Sequence, residues 1–366
     1  MPSAAPVVSS DMLILPSDSS ADTTTGYRHA NTTDRVSFPD DLGPHPDFQT
    51  EWWYYTGNLT DPEGRHFGYQ LTFFRRALQP PAKREPRLSD WATNQVYMAH
   101  FALTDVTGKE HHHFERLARG ATGLAGAQAV PFTVWLDDWS VEQTGSDEYR
   151  LTARQDDLTI ALKLVDTKGS ILHGDQGYSQ KGPDPGNASF YSSQTRLASE
   201  GTITLGRTVF TVSGLSWKDH EYSTSALSEG QIGWDWFSIQ LDNQYELMLF
   251  QIRRDDGSID PFSSGTLIAP DASTTHITRS DFSITTSGTW KSPVSQAIYP
   301  AKWVIQIPSQ KLSLDISPYL ADQEMVLSYN YWEGAVKVTG MLENQPVTGN
   351  GYVELTGYSQ AMTGEF

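Results

Sequence analysis

The sequence predicts an all-β protein made of antiparallel meanders that close into barrels or stack as sandwiches. Three observations carry this expectation. Apolar and polar residues alternate with period two over many short runs, the runs stop at Gly-, Asp-Gly-, Asp-Asn- or Pro-containing turns, and helical periodicity is nearly absent. Enrichment in Thr, Tyr, Val and Trp suits a pleated, half-buried surface. At 366 residues the chain exceeds one average domain and suits two of ordinary size, which bury a substantial core without staples.

Met1 to about Thr33 is rich in Ser, Thr, Asp and Ala and reads as a flexible leader, set apart as far as residue 40. "TEWWYYTGNLTDPEGRHFGYQLTFFRR" (50–76) follows as strand, polar turn and strand, then "QVYMAHFALTDVTGKEHHHF" (95–114), "YRLTAR" and "LTIALKLVD" within 149–166, and "EGTITLGRTVFTVSGLSW" (200–217). Lys181 to Gly186 is a loop. Only Leu88–Thr93 and Ser223–Ser228 suit short helical turns. The second half opens on "IGWDWFSIQLDNQYELMLFQIRRDDGS" (232–258), an echo of the 50–76 pattern, and continues through "WVIQIPSQKLSLDIS" (303–317). The echo implies two related β domains, 41–225 and 226–366.

The formal net charge is −18, and no basic run is longer than Arg75-Arg76 or Arg253-Arg254. Such a surface repels phosphate backbones and anionic lipid, so no nucleic-acid partner is expected. No apolar run approaches the ~18 residues that read as a transmembrane helix. With no cysteine, disulfides, thiolate catalysis and Cys-ligated zinc are excluded, while the compartment is left open. No basic n-region followed by an apolar h-region stands at the start. Phosphate loops, G-x-S-x-G and H-E-x-x-H are absent as well.

What chemistry there is gathers in a few clusters. In "WKDHEY" (217–222) an extended backbone puts Trp217, Asp219 and Glu221 on one face and Lys218, His220 and Tyr222 on the other. A carboxyl desolvated beside tryptophan has a raised pKa and can donate a proton near neutrality. The same residues also read as ordinary turn and packing positions. In "GWDW" (233–236) Trp234 and Trp236 share a face opposite Asp235, either lining a pocket for a flat or polyene ligand or filling a barrel core. In "EWWYY" (51–55) both faces are aromatic, as in a strand sandwiched between layers, with Glu51 as partner to Arg75 or Arg76, or else as a site acid. His100 shares a strand face with Val96, Met98 and Ala102 and looks inward as a core or pocket residue. His111 to His113 fit a solvated flank better than a metal tract.

The motifs "HPDFQTEWWYYTGNL", "FGYQLTFFR", "VYMAHFALTD", "GLSWKDHEYST", "GWDWFSIQLD" and "GNGYVELTGY", in this order from about His45 to Tyr358, resemble the lipocalin-like carotenoid 1,2-hydratase (hydroxyneurosporene synthase) superfamily. The resemblance implies two consecutive lipocalin- or calycin-like β domains with a hydrophobic cavity at their junction. It also implies acid-assisted hydration or cyclisation of an isoprenoid or polyene without metal or organic cofactor. Two further readings stand beside this, a lipid or pigment carrier without chemistry and a catalyst of pericyclic ring closure. The family's Asp-His-Asn-Trp-like motif falls on Asp219, His220, Glu221 and Tyr222. The strand after the tryptophan cluster, where the family's proton donor is expected, reads "ELMLFQIRR" without an aspartate. The donor is therefore expected in Asp219 or Glu221 with Asp235 in reserve, and His220 orients the acid or activates water. Trp217, Tyr222, Trp234, Asp235 and Trp236, with Trp52, Tyr54 and His100, are expected to bind a hydrophobic small molecule. Because relatives often carry export signals, the resemblance implies an extracytoplasmic location.

Overall fold

The computed structural model describes residues 24–84, 89–224 and 227–362. It is nearly all-β, as expected, and consists of two large antiparallel sheets and a short ribbon. The first sheet contains β1 (Thr50–Thr60), β2 (His66–Ala77), β3 (Gln95–Asp105), β4 (Glu110–Arg119), β5 (Ala125–Gln128), β6 (Thr133–Leu136), β7 (Trp139–Gln143), β8 (Glu148–Gln155), β9 (Leu158–Asp166), β10 (Ser170–Leu172), β11 (Tyr178–Gln180), β12 (Ala188–Leu205) and β13 (Thr208–Ser223). Then follow β14 (Gln231–Leu241), β15 (Glu246–Arg254), β16 (Ser264–Ile268), β17 (Thr274–Thr278), β18 (Ser283–Thr286), β19 (Thr289–Lys291), β20 (Ile298–Pro300), β21 (Trp303–Ile307), β22 (Leu312–Pro318), β23 (Glu324–Val326), β24 (Asn330–Leu342) and β25 (Gln345–Leu355). All but the β19–β20 ribbon belong to the second sheet.

The first sheet runs β4-β3-β2-β1-β13-β12-β9-β8-β7-β6-β5, with β10 and β11 added on β12. It curls until its ends nearly meet. Arg116 on β4 covers the Trp139 ring at 4.3 Å and donates to the Arg154 carbonyl at 2.8 Å, which closes the seam with side-chain contacts where no backbone ladder exists. Inside, Trp53, Tyr55, Phe67, Phe73, Phe101 and Trp139 are fully buried. The second sheet runs β17-β16-β15-β14-β25-β24-β22-β21-β18, with β23 on β24. The echo between the halves is topological: β1 lies between the second and last strands of its sheet, and β14 does the same in its own.

The sheets pack closely through β1, β2, β12 and β13 on one side and β14, β15, β24 and β25 on the other. Tyr54, Tyr191 and Trp217 share one apolar cluster with Trp236, Phe250 and Tyr352. Gly68 is needed here, because a Cβ at that position would stand 2.4 Å from the Ala335 Cβ across the gap. Polar stitches complete the contact. Asn58 Nδ2 donates to the Gly351 carbonyl at 3.0 Å, and Gln240 Nε2 donates to the Thr195 and Ser216 carbonyls at 2.8 and 2.9 Å. The fully buried Glu246 of the second sheet receives Lys168 Nζ at 2.6 Å and Arg196 Nε from the first.

Two expectations change at the margins. Of the leader expected to extend to residue 40, the described part packs on the first barrel: Tyr27 and Ala30 are buried, and the Tyr27 hydroxyl donates to the Ala77 carbonyl at 2.8 Å. Residues 89–93 form a turn rather than a helix, and Ser223 ends β13; Leu88 and residues 225–226 lie outside the described residues.

Glu246→Ala leaves Lys168 and Arg196 buried without their counter-charge. It is expected to cost about 3–5 kcal/mol, read as a lowered midpoint in denaturant unfolding.

Candidate active site

Antiparallel pairing decides which side chains meet. In the β1–β13 register Tyr54 stands opposite Asp219 and Trp52 opposite Glu221, while Trp53 faces His220 and Glu51 faces Tyr222. Alternation then sends Trp52, Tyr54, Asp219 and Glu221 to one side of the sheet and Glu51, Trp53, His220 and Tyr222 to the other. The first set, with Trp234 and Trp236 from β14, Phe250 from β15, Tyr331 from β24 and Glu354 from β25, walls a cavity between the sheets. Its atom-free volume, counted with the open solvent at its mouth, is about 1060 Å³. Tyr54 meets Trp236 edge to face at 5.1 Å, and Trp217 meets Trp236 at 6.4 Å.

The carboxyls in this cavity differ in their partners. Asp219 accepts three donors: the Tyr191 hydroxyl at 2.6 Å, Trp217 Nε1 at 2.6 Å and the Ser193 hydroxyl. Burial pushes Asp219 up to about 7, against the pull of these donors. The Ser193 hydroxyl is backed by His173 Nε2 at 2.7 Å, and His173 Nδ1 by Thr266 at 2.9 Å. Glu221 is paired with Lys181 at 3.3 Å, the one cation among the lining residues. Glu354 accepts from Trp234 Nε1 at 2.7 Å. Burial, and the neighbouring carboxyls of Asp219 and Glu221, raise its pKa to about 7. Glu354 is half-buried and lines the cavity. Cross-strand from Glu354 stands Glu333, fully buried, bonded to the Tyr54 hydroxyl at 2.5 Å and pushed far above the ordinary carboxyl range by burial. Four carboxyls thus cluster where one ammonium is at hand, and low dielectric obliges some of them to keep protons.

The opposite face carries a separate polar cluster. Glu51 Oε1 lies 2.8 Å from both His220 Nε2 and His45 Nδ1, and Glu51 Oε2 accepts Arg75 Nε at 2.7 Å. Burial alone would raise Glu51, but Arg75 and the histidines hold it well below the usual carboxylate range. Burial lowers His220 to about 4. Three potential metal-ligand atoms converge here, on His45, Glu51 and His220.

The residues singled out in the sequence therefore separate. Asp219, Glu221, Trp234, Trp236, Trp52 and Tyr54 line the cavity. Trp217 lies behind the wall and holds Asp219 by its indole N–H. His220 and Tyr222 do not reach the cavity, because their strand positions have the wrong parity; Tyr222 instead stacks on His45 at 3.5 Å. Asp235 points away as well, tied to Arg253 at 3.0 Å, Gln251 at 2.8 Å and the Tyr358 hydroxyl at 3.0 Å, and is not among the lining residues. His100 faces the second sheet from behind Tyr331, with Nδ1 at 2.8 Å from the Tyr331 hydroxyl and Nε2 at 3.2 Å from Glu115. His111 to His113 lie on β4, half-buried, with His111 Nδ1 at 2.9 Å from the Thr104 hydroxyl.

Sequence reasoning missed Glu354, Tyr191 and Lys181. For Glu354 a signal existed. The echo aligns Trp52 and Tyr54 with Trp234 and Trp236; Tyr54 pairs with Asp219 on the last strand of its sheet, and Trp236 pairs with Glu354 on the last strand of the other.

The AttH-like family model matches residues 29–358. The chain belongs to the AttH-like family. This agrees with the lipocalin-like hydratase resemblance carried by the motifs. Among solved structures, a Nitrosomonas europaea protein assigned to AttH (NE1406) is 34% identical, covers 90% of this chain and 99% of its own, and superposes with a TM-score of 0.81. Kievitone hydratase from Nectria haematococca is 16% identical, with 91% and 96% covered and a TM-score of 0.67. CghA, solved with Sch210972, is 11% identical, with 93% and 96% covered and a TM-score of 0.56. At these lower identities the similarity is one of fold. A comparison with curated protein sequences finds no match. No helix among the described residues of this AttH-like chain is long and apolar enough to cross a membrane.

The raised pKa of Glu354 has a measurable consequence. A folded pKa near 7 against an ordinary 4.5 means the fold favours the protonated form, so the contribution is complete below pH ~4.5 and is lost as pH rises through 7. Glu354→Gln lacks this titration. Relative to the variant, the wild type is expected to lose at most about 3 kcal/mol between pH 4.5 and 8, seen as a growing gap between their melting temperatures. Parallel curves would contradict the assignment.

Proposed function

We propose that this AttH-like protein catalyses cofactor-free, acid-assisted hydration or cyclisation of a hydrophobic isoprenoid or polyene held in the aromatic cavity. One observation carries the reading: Glu354, a cavity carboxyl with one indole donor and a raised pKa, stands among other acids and against tryptophan. The hydratase resemblance of the motifs supports it, as does the shared fold with a protein named kievitone hydratase.

The two central acids take different roles because their surroundings differ. Burial raises both acids to about 7, so near neutrality the pair shares a proton, and the three donors on Asp219 place the negative charge there. Glu354, with its single indole donor and acidic neighbours, keeps a proton. Glu354 passes that proton to one carbon of the substrate's double bond and leaves a cation on the other. The faces of Trp52, Tyr54, Trp234 and Trp236 stabilise this cation. In hydration, water adds to the cation and yields its proton to Asp219, which returns it to Glu354 through cavity water. In cyclisation, a second double bond or hydroxyl of the substrate takes the place of water, and the proton lost from the product follows the same route. Tyr191, joined to Asp219 at 2.6 Å and to Trp236 Nε1 at 2.9 Å, fixes the carboxylate in the wall.

The test is incubation of the purified protein with a panel of isoprenoid alkenes in ¹⁸O-labelled water, with products read by mass spectrometry. A product carrying one ¹⁸O marks hydration, and a product of unchanged mass with a new retention time marks cyclisation. Glu354→Gln and Asp219→Asn are each expected to lower turnover ~10²-fold or more. Wild-type kcat/KM is expected to fall as pH rises above 7, as Glu354 loses its proton. Full turnover in both variants would overturn the mechanism. A bound, unaltered lipid without product would favour carriage.

A further inference from the structure

The buried cluster on the far side of β1 and β13 takes no part in the cavity chemistry, and its hydrogen bonds do not balance with both of its imidazoles neutral and both carboxyls ionised. His220 Nδ1 lies 3.0 Å from the Asp41 carbonyl oxygen, which only accepts, so Nδ1 must carry a hydrogen. His220 Nε2 lies 2.8 Å from Glu51 Oε1, a second acceptor. His45 repeats the pattern: Nε2 faces Asp41 Oδ1 at 2.8 Å, and Nδ1 faces the same Glu51 Oε1 at 2.8 Å. With each ring neutral and its outer nitrogen donating, two lone pairs point at one carboxylate oxygen. Balance needs two more protons, shared among the rings and the carboxyls, or one divalent cation at their focus. The two solutions carry the same net charge.

The surroundings match a metal centre in three respects. Two imidazole nitrogens and one carboxylate oxygen all lie within 4.8 Å of one another, a donor set that suits first-row metals rather than calcium or magnesium. Each ring's other nitrogen is bonded to an oxygen, one carboxylate and one backbone carbonyl, the arrangement that orients metal-binding histidines. Arg75 occupies Glu51 Oε2, and the His45 backbone N–H donates to it at 2.8 Å, so Oε1 is presented singly. Bonds of ~2.0–2.1 Å at tetrahedral angles hold ligand atoms roughly 3.3 Å apart, so occupancy opens each contact by about 0.5 Å. The His45 side chain is 15% exposed and provides the way in.

We propose that His45 Nδ1, His220 Nε2 and Glu51 Oε1 bind a divalent first-row transition metal, for which zinc is the probe, and that the metal clamps the 41–48 segment onto β1 and β13. The role is structural. The metal fixes His220, and with it the strand that holds Asp219 and Glu221 on the opposite face.

The test is zinc binding by chelator-stripped, redialysed protein, in competition with a chromophoric chelator, alongside thermal unfolding with and without zinc. The wild type is expected to bind half an equivalent or more and to melt higher with zinc. His45→Gln, at the most exposed ligand, is expected to stay folded by circular dichroism, to bind ~100-fold or more weakly, and to lose the zinc-dependent rise in Tm. Glu51→Gln should do the same wherever it folds. His111→Asn/His113→Asn, which removes imidazoles from the other histidine cluster, should bind as the wild type does. Less than half an equivalent on the wild type overturns the proposal. So does wild-type binding by His45→Gln, or a loss of binding confined to the His111→Asn/His113→Asn protein.

Discussion

β1 pairs with β13 residue for residue from Thr50–Ser223 to Thr60–Ser213, without a bulge, and the cavity acids and the His45–Glu51–His220 cluster both hang on that ladder. Because side chains alternate, a slip of one residue would exchange the faces. Asp219 and Glu221 would enter the barrel among Trp53 and Tyr55, and His220 would enter the cavity. The register is held by what each face buries. Glu51 must meet Arg75, His45 and His220 on one side, and Tyr54 must reach Glu333 across the gap on the other. Either mismatch would leave a buried charge or polar group unsatisfied.

The same constraint explains how a protein with so many buried acids folds. Carboxyls that have cations nearby are spent on structure: Glu51 with Arg75, Glu246 with Lys168 and Arg196, and Asp235 with Arg253. Those facing the cavity have fewer cations to meet. Burial raises Glu333, with Glu354 adding to it, and raises Glu354, with Asp219 and Glu221 adding to it, while Asp219 is held by three hydrogen-bond donors. The difference between structural and chemical carboxyls is thus one of partners, since burial is common to both.

Much of the fold was legible because alternation and turn residues are local properties. The partition of "WKDHEY" into two faces followed from strand geometry, and the repeat of the 50–76 pattern at 232–258 marked two strands that hold equivalent places in their sheets. Pattern alone did not say which face meets the other sheet. His220 and Tyr222 stand next to the cavity acids in sequence, yet their parity turns them to the opposite face, where Tyr222 packs with Phe48 and Phe190, and Asp235 lies between two cavity tryptophans in sequence but is bonded to Arg253. Tyr191 and Lys181 come from segments with no motif of their own. They join the site only through long-range pairing of β12 with β13 and the closure of the loop at Lys181 to Gly186. Glu354 was hidden differently: it sits in "GNGYVELTGY", a stretch already singled out, but its role depends on pairing with Trp236, which only the topological echo reveals.

The proton on Glu354 is where fold and proposed chemistry meet. Its titration can be followed in ¹³C-glutamate-labelled protein by the side-chain carboxyl NMR signal that disappears in Glu354→Gln. A midpoint near 7 is expected, with the carboxyl largely protonated at pH 6. A midpoint near the ordinary 4.5 would contradict it, because an acid already ionised at neutral pH has no proton to give.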